Sequence, residues 1–60
     1  MKLYYVTRVD TGVVFTAYAN NALAALQQVA VFYEGFGYTR RNETFWFSDR
    51  VVCGDYSVNL

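Results

Sequence analysis

The side chains in this chain that could do chemistry are few and scattered. Among 60 residues there is one cysteine, Cys53, and there is no histidine. A thiol without a neighbouring imidazole lacks the base that activates cysteine nucleophiles, and no histidine can act as a base near neutral pH or as a metal ligand. We therefore expect Cys53 to pack as a small buried side chain in the last strand.

The acidic side chains suggest no catalytic pair. They fall in predicted turns and at the end of a predicted helix, where solvation or capping explains them. A paired acid and base would need two converging carboxyl groups with pKa values pushed apart, and no spacing here suggests this. The sequence thus predicts a protein that is not an enzyme and that has no cofactor and no metal site. The acidic residues are Asp10, Glu34, Glu43, Asp49 and Asp55.

A basic pair next to aromatic residues raises nucleic-acid binding as an alternative. Arg40 and Arg41 stand just before Phe45-Trp46-Phe47, and bases stack on aromatic rings that lie beside basic side chains. However, five basic residues balance five acidic ones, and acidic residues flank the aromatic segment and would repel phosphate. We favour a turn that carries arginine for solubility. A small nucleic-acid-binding domain using Arg40, Arg41 and Trp46 stays as the alternative.

The first half of the chain has the pattern of a hairpin followed by a helix. Residues 2–9 and 13–19 are rich in aromatic and β-branched types, and Asp10-Thr11-Gly12 between them predicts a three-residue loop. Asn20 or Asn21 is a suitable N-cap for a helix that begins at residue 22 and ends at residue 33 or 34.

The second half returns to strand-like composition. We predict a short strand over 38–41, a strand over 44–48 and a last strand that starts at 51–53. Gly54-Asp55 either bulges this strand or breaks it before 56–58, so residues 45–60 form two or three strands. The order ββ-α-ββ(β) predicts a single α+β domain over residues 1–60, with one helix on an antiparallel sheet of four to five strands.

The chain carries no charge between Asp10 and Glu34, a span long enough to cross a bilayer. Asn20-Asn21 and Gln27-Gln28 interrupt it, and their amides would lie unpartnered at membrane depth. The lone cysteine fits a reducing compartment, and the polar residues that soon follow Lys2 do not resemble a signal peptide. We therefore expect a cytoplasmic protein without membrane contact.

Twelve of the 60 residues are aromatic, which is more than one small core can hide. Alternation along the strands predicts that the helix covers one face and that the other face binds a partner protein. The predicted interface anchors are Tyr4, Arg8, Tyr18 and Trp46. The alternatives are that these residues simply make good strands, or that the same face or an unprotected edge strand pairs two copies of the chain as a homodimer. The predicted covered face is Leu3, Tyr5, Val13, Phe15, Ala17, Phe45 and Phe47. The predicted uncovered face is Tyr4, Val6, Arg8, Val14, Thr16, Tyr18 and Trp46.

One resemblance covers roughly the first half of the chain. Met1-Lys2-Leu3-Tyr4-Tyr5-Val6, followed by Phe15-Thr16-Ala17-Tyr18-Ala19-Asn20 running into Ala22-Leu23-Ala24-Ala25-Leu26, resembles small phage-encoded proteins, among them some anti-CRISPR proteins. The resemblance implies a non-enzymatic inhibitor that docks on a host protein complex in the bacterial cytoplasm. Many such inhibitors are acidic mimics of nucleic acid, whereas this chain is neutral, so the expected contact is aromatic docking.

Overall fold

In the computed structural model, which describes residues 1–60, one main helix packs against a five-stranded antiparallel sheet. The strand order across the sheet is β2-β1-β5-β4-β3, so β2 and β3 are the edge strands. The predicted α+β class is confirmed. The elements are β1 (Lys2–Arg8), β2 (Val13–Ala19), α1 (Ala22–Glu34), α2 (Tyr38–Arg41), β3 (Thr44–Trp46), β4 (Arg50–Cys53) and β5 (Tyr56–Asn59).

Helix α1 begins where the asparagine pair predicts. The Asn21 side-chain oxygen accepts a hydrogen bond from the backbone N–H of Ala24 at 2.9 Å, which satisfies one of the free donors of the first turn. Its buried face is built mostly from alanine, so the helix axis can approach the sheet closely. Neither helix is long and apolar enough to cross a membrane. The buried residues of α1 are Ala22, Ala25, Leu26, Val29 and Ala30.

The core lies between α1 and the central strands. Val6, Val51 and Val58 are fully buried on the sheet, opposite the fully buried Leu26 of the helix. Cys53 is also fully buried, and its Sγ donates to the carbonyl oxygen of Asn42 at 3.4 Å. The predicted burial of Cys53 in a strand is therefore confirmed, although that strand is the fourth of five.

Residues 38–41 form a single helical turn, α2, so the predicted strand at this position is wrong. Gly37 has φ 89° and ψ −4°, a left-handed conformation that turns the chain into a new helical start. The N–H groups of Arg40 and Arg41 both donate to the Gly37 carbonyl, at 3.1 and 2.9 Å. The Asn42 side-chain amide then closes the turn on the Tyr38 carbonyl at 2.8 Å. These local bonds outweigh the strand propensity of Tyr38 and its neighbour.

The first hairpin has a four-residue loop, and the predicted three-residue loop is wrong. Arg8 pairs directly with Val13, and the Arg8 carbonyl accepts from the N–H of Gly12 at 2.7 Å. The N–H of Val9 instead donates to the Asp55 carbonyl at 2.7 Å, which holds Val9 next to the start of β5. Gly12, with φ 76°, makes the tight reversal that the sequence predicts.

This one-residue change in the loop shifts the register and exchanges the two faces of β1. Directly paired residues share a face, and Tyr4 pairs with the buried Ala17 while Leu3 pairs with the exposed Tyr18. The predicted grouping of faces is therefore wrong for β1. It is wrong for β3 as well, because Trp46 pairs with the buried Val51 and so lies on the helix side of the sheet.

The ambiguity at the end of the chain is resolved in favour of three strands. Strands β3, β4 and β5 follow one another as an antiparallel meander, and β4 and β5 are joined by the two-residue turn Gly54-Asp55. Gly54 has φ 58° and lies against the Tyr38 ring, where a Cβ atom would collide with the phenol. A side chain is thus excluded at Gly54 by both backbone conformation and space.

Candidate protein-binding surface

The sheet face opposite α1 has no covering element and carries large apolar side chains. We call it the uncovered face and define it by five exposed residues at its two ends. Their exposed fractions run from 41% for Leu3 to 65% for Tyr18. Single exposed apolar side chains are common on protein surfaces. Five half-exposed side chains of this size on one face are more than that background explains. The five residues are Leu3, Tyr5, Tyr18, Phe45 and Phe47.

Cross-strand pairing joins these residues into two apolar ends with a polar centre. At one end Leu3 pairs with Tyr18, and at the other Phe45 pairs with Val52. Between them lies Ser57 of β5, which pairs with Thr7 on one side and with Val52 on the other. Apolar anchors around small hydroxyl groups give a surface that can bury area and still hydrogen-bond a partner.

The charged strand residue on the uncovered face is Arg50. Its guanidinium carbon lies 4.7 Å from the centroid of the Phe47 ring, a cation–π distance, and its Nη1 donates to Asp49 at 3.2 Å. These contacts hold the flat guanidinium beside an aromatic anchor. Arginine next to an exposed ring is typical of the residues that dominate binding energy at protein interfaces.

A second aromatic cluster lies on the helix side, beside the outer edge of β2. The Tyr33 ring packs 4.7 Å from Phe15 and 4.8 Å from Phe32, measured between ring centroids. Phe32 is still 79% exposed. The groove between α1 and β2, which we call the edge groove, has a volume of about 450 Å³. Its lining is Phe15, Thr16, Ala17, Tyr18, Gln28, Val29, Phe32 and Tyr33.

The four predicted anchors do not lie together. Tyr18 is on the uncovered face, whereas Tyr4 is half-buried against the core on the helix side. Trp46 is 62% exposed but lies on the helix side of the edge strand β3. Arg8 is engaged in an ion-pair cluster. The sequence therefore places one of its four anchors on the face that α1 leaves open.

The arginine pair of the nucleic-acid alternative lies on α2. Both Arg40 and Arg41 are exposed, and Arg41 donates from Nη1 to the carbonyl oxygen of Phe36 at 3.5 Å. The arginines that lie over aromatic rings are instead Arg50, 4.7 Å from the Phe47 centroid, and Arg8, 5.8 Å from the Tyr56 centroid. Stacking of a base between Arg40, Arg41 and Trp46 stays a prediction without a supporting contact.

An ion-pair cluster at the carboxyl end of α1 was missed by the sequence reasoning. Glu34 Oε2 accepts a hydrogen bond from the Tyr56 hydroxyl at 2.9 Å and lies 3.3 Å from Arg8 Nη1. Arg8 Nε also donates to Asp10 at 2.9 Å. Glu34 reaches back to the sheet and ties the end of the helix to β1 and β5. Only the folded arrangement brings these separated residues together.

The chemistry of this cluster is that of a structural clamp. Burial, the larger cause, and the hydrogen bond to Glu34 together raise the pKa of Tyr56 to about 12. The hydrogen bond to Asp10 raises the pKa of Arg8. The Tyr38 ring closes over Tyr56 edge to face, with centroids 5.6 Å apart. A phenol that keeps its proton and a guanidinium that keeps its charge supply no base and no nucleophile at neutral pH.

Comparison of the chain with protein-family models, with curated proteins and with solved structures finds no match. No buried side-chain nitrogen or oxygen lacks a hydrogen-bond partner, and no group of three or more histidine, cysteine, aspartate or glutamate side chains is placed to hold a metal ion. The surface geometry is therefore the basis for an argument about function.

Proposed function

We propose that the protein is a non-catalytic protein-binding module that docks its uncovered face on a partner protein. The observation that carries the proposal is the group of five half-exposed apolar residues on a sheet face that no helix covers. Full burial of an exposed side chain of this kind contributes about 1.5–3 kcal/mol, so burying the exposed half of each of these against a partner would contribute roughly half of that. For a 60-residue domain, whose own core is small, this is a large potential gain.

The character of the face supports a protein as the partner. Tyr5, Tyr18 and the two phenylalanines Phe45 and Phe47 are rigid rings that lose little conformational entropy on binding. The formal net charge of zero and the single arginine on the face do not provide the broad positive field that nucleic acid requires. We therefore propose that Tyr18 is an anchor, as the sequence predicts, and that Tyr5, Phe45 and Phe47 are anchors as well.

The narrower form of the proposal is that the partner is a host protein complex and that binding inhibits it. This form is supported by the resemblance of the first half of the chain to small phage-encoded inhibitors. This narrower proposal implies that the protein acts in the bacterial cytoplasm. The neutral charge favours docking through aromatic side chains over imitation of a nucleic acid.

The test separates the uncovered face from other exposed aromatic residues. A Tyr5→Ala/Phe45→Ala double variant removes two rings from the face, and Phe36→Ala is the matched control because Phe36 is 90% exposed and outside it. Immobilised wild type is incubated with a bacterial lysate, and retained proteins are compared by quantitative mass spectrometry. We expect a partner that the wild type and the control retain and that the double variant loses. Affinities of the purified partner should then differ at least about a hundredfold, or ~2.7 kcal/mol.

Circular dichroism and thermal unfolding must show that the double variant is folded. Tyr18 is left intact because it lies on the edge strand β2, so that the double variant changes the uncovered face and not this edge. A partner that binds the double variant as well as it binds the wild type would contradict the proposed face.

A further inference from the structure

The outer edge of β2 presents backbone groups that have no strand partner. The Tyr18 carbonyl oxygen accepts from Gln28 Nε2 at 3.1 Å, so the peptide groups of Tyr18 point away from β1. Residues two apart in a strand direct their backbone groups to the same side, so those of Val14 and Thr16 point outward as well. The Gln28 side chain is bonded to one of these outward-pointing groups, the Tyr18 carbonyl. The other outward-pointing N–H and C=O groups can hydrogen-bond a further strand.

This edge has few of the features that protect edge strands from pairing. Strand β2 has seven residues and pairs with β1 over its whole length without a bulge, and it contains no charged residue and no proline. Charged side chains, proline, bulges and very short strands are the usual protections. The strand at the opposite edge, β3, is protected by its shortness, because it has only three residues. The two edges of the sheet are therefore built differently.

The edge groove lies directly beside the outer edge of β2 on the helix side. It contains no charged side chain and is lined mainly by aromatic and aliphatic groups. A strand added to β2 would point alternate side chains into the groove and the others onto the uncovered face. The added strand must then be apolar on its groove side and uncharged throughout.

We propose that the added strand is β2 of a second copy of this chain, paired antiparallel about Thr16. In that register Phe15 lies opposite the partner's Ala17, and the small alanine leaves room for the ring in the edge groove. On the uncovered face Val14 lies opposite the partner's Tyr18, and the two Thr16 side chains face each other. Aromatic with β-branched and threonine with threonine are favourable cross-strand pairs.

The rest of the molecule is compatible with this pairing, in which the partner's Val14 N–H replaces Gln28 Nε2 at the Tyr18 carbonyl oxygen. Phe32 stands exposed at the rim of the groove, where the added strand would cover part of it. The formal net charge of zero gives no general repulsion between copies. The result is a continuous ten-stranded sheet in which the two uncovered faces become one surface. This pairing uses an edge and a groove and does not depend on the proposed function.

The size of the contact sets its expected strength. A standard interface buries roughly 800 Å² per partner, about a fifth of the 4006 Å² surface of this chain. One strand edge, the groove and Phe32 form a contact no larger than that. We therefore expect a dimer with a dissociation constant on the order of micromolar, which separates on dilution.

Sedimentation equilibrium from micromolar to millimolar concentration tests the pairing. Thr16→Lys brings two like charges opposite each other at the centre of the proposed contact, and we expect it to weaken the dimer at least about tenfold. Ser48→Lys adds the same charge at an exposed bend between β3 and β4 and should leave association unchanged. A wild type that stays monomeric throughout, or a dimer insensitive to Thr16→Lys, would overturn the proposal.

Amide hydrogen exchange of the wild type gives a second readout that needs no variant. The N–H groups of Val14, Thr16 and Tyr18 should exchange more slowly as the protein concentration rises, because pairing occupies them. Their β1-facing neighbours Phe15 and Ala17 are the internal reference. Concentration-independent exchange at the three outward amides would also overturn the pairing. Either failure leaves the partner test on Tyr5 and Phe45 unaffected, because neither residue lies on β2.

Discussion

Both faces of the sheet in this protein carry large apolar side chains, but the two faces have opposite environments. On the helix side Val6, Val51 and Val58 are fully buried beneath α1, while on the other side Tyr18 and Phe45 are at least half exposed. A single 13-residue helix covers the central strands on one face only, and it leaves Trp46 of the edge strand β3 exposed on that same face. The comparison teaches that hydrophobic composition alone does not identify a core. The position of the one helix decides which apolar residues are buried in the core and which are left exposed.

The helix-covered face also contains the specific polar contacts between the helix and the sheet. Glu34 accepts a hydrogen bond from the Tyr56 hydroxyl and forms an ion pair with Arg8, so one carboxylate links the end of α1 to two strands. The uncovered face has no comparable polar clamp, and Arg50 there contacts Phe47 and its neighbour Asp49. Directional bonds on one side fix the orientation of the helix. Apolar surface on the other side stays exposed to solvent.

The largest expected contrast comes from removing the same side chain from each face. Leu26→Ala empties a fully buried position and should lower the free energy of unfolding by about 2–5 kcal/mol, which is most of the ~3–9 kcal/mol expected for a domain of this size. Leu3→Ala removes a side chain that is already 41% exposed and should cost less than about 1 kcal/mol. Urea unfolding followed by circular dichroism measures both. Equal losses would show that the uncovered face is part of the core.

A smaller contrast comes from removing one hydroxyl group from each face. Tyr56→Phe deletes the hydrogen bond to Glu34 and should lower the free energy of unfolding by about 1–2 kcal/mol, because the acceptor is charged and partly buried. Tyr5→Phe deletes an exposed hydroxyl that makes no hydrogen bond within the protein and should stay within about 0.5 kcal/mol of wild type. If Tyr56→Phe is equally neutral, the clamp does not contribute to the orientation of α1.

The sequence predicts the elements better than it predicts their pairing. The asparagine cap, the Gly12 reversal and the buried Cys53 follow from local chemistry and are confirmed. The register of the first hairpin could not be obtained in this way, because Val9 is held by a hydrogen bond to Asp55, a residue 46 positions away along the chain. A one-residue error there exchanges the faces of a strand.

The same long-range dependence explains which parts of the site were missed. Predicting the clamp requires knowing that the end of α1 lies over β5, which no local pattern contains. The short helix α2 was missed for a related reason. Tyr38 has the propensity of a strand residue, yet its hydroxyl accepts from the Asp55 N–H at 3.0 Å and its ring covers Tyr56. Tertiary contacts of this kind override local propensity.

The last expected contrast is a pH dependence on the helix-covered face. Burial and the bond to Glu34 hold the Tyr56 proton more tightly in the folded chain, with a pKa of about 12, than in the unfolded chain, where a tyrosine titrates near 10. The folded state binds more protons than the unfolded state between these values, so stability falls as pH rises. The contribution is complete below about pH 10 and is lost as pH rises through about 12.

Thermal unfolding between about pH 9 and pH 12 measures this dependence, and Tyr56→Phe is the matched control because it has no phenol to titrate at that position. We expect the melting temperature of the wild type to fall more steeply with pH than that of the variant. Glu34→Gln should move the Tyr56 titration to lower pH, observed by NMR of the ring carbon that bears the hydroxyl, but only in part because burial is the larger cause. Identical slopes for wild type and Tyr56→Phe would mean that Tyr56 is solvated in the folded protein. The clamp would then lie outside the core, and the contrast between the two faces would rest on apolar packing alone.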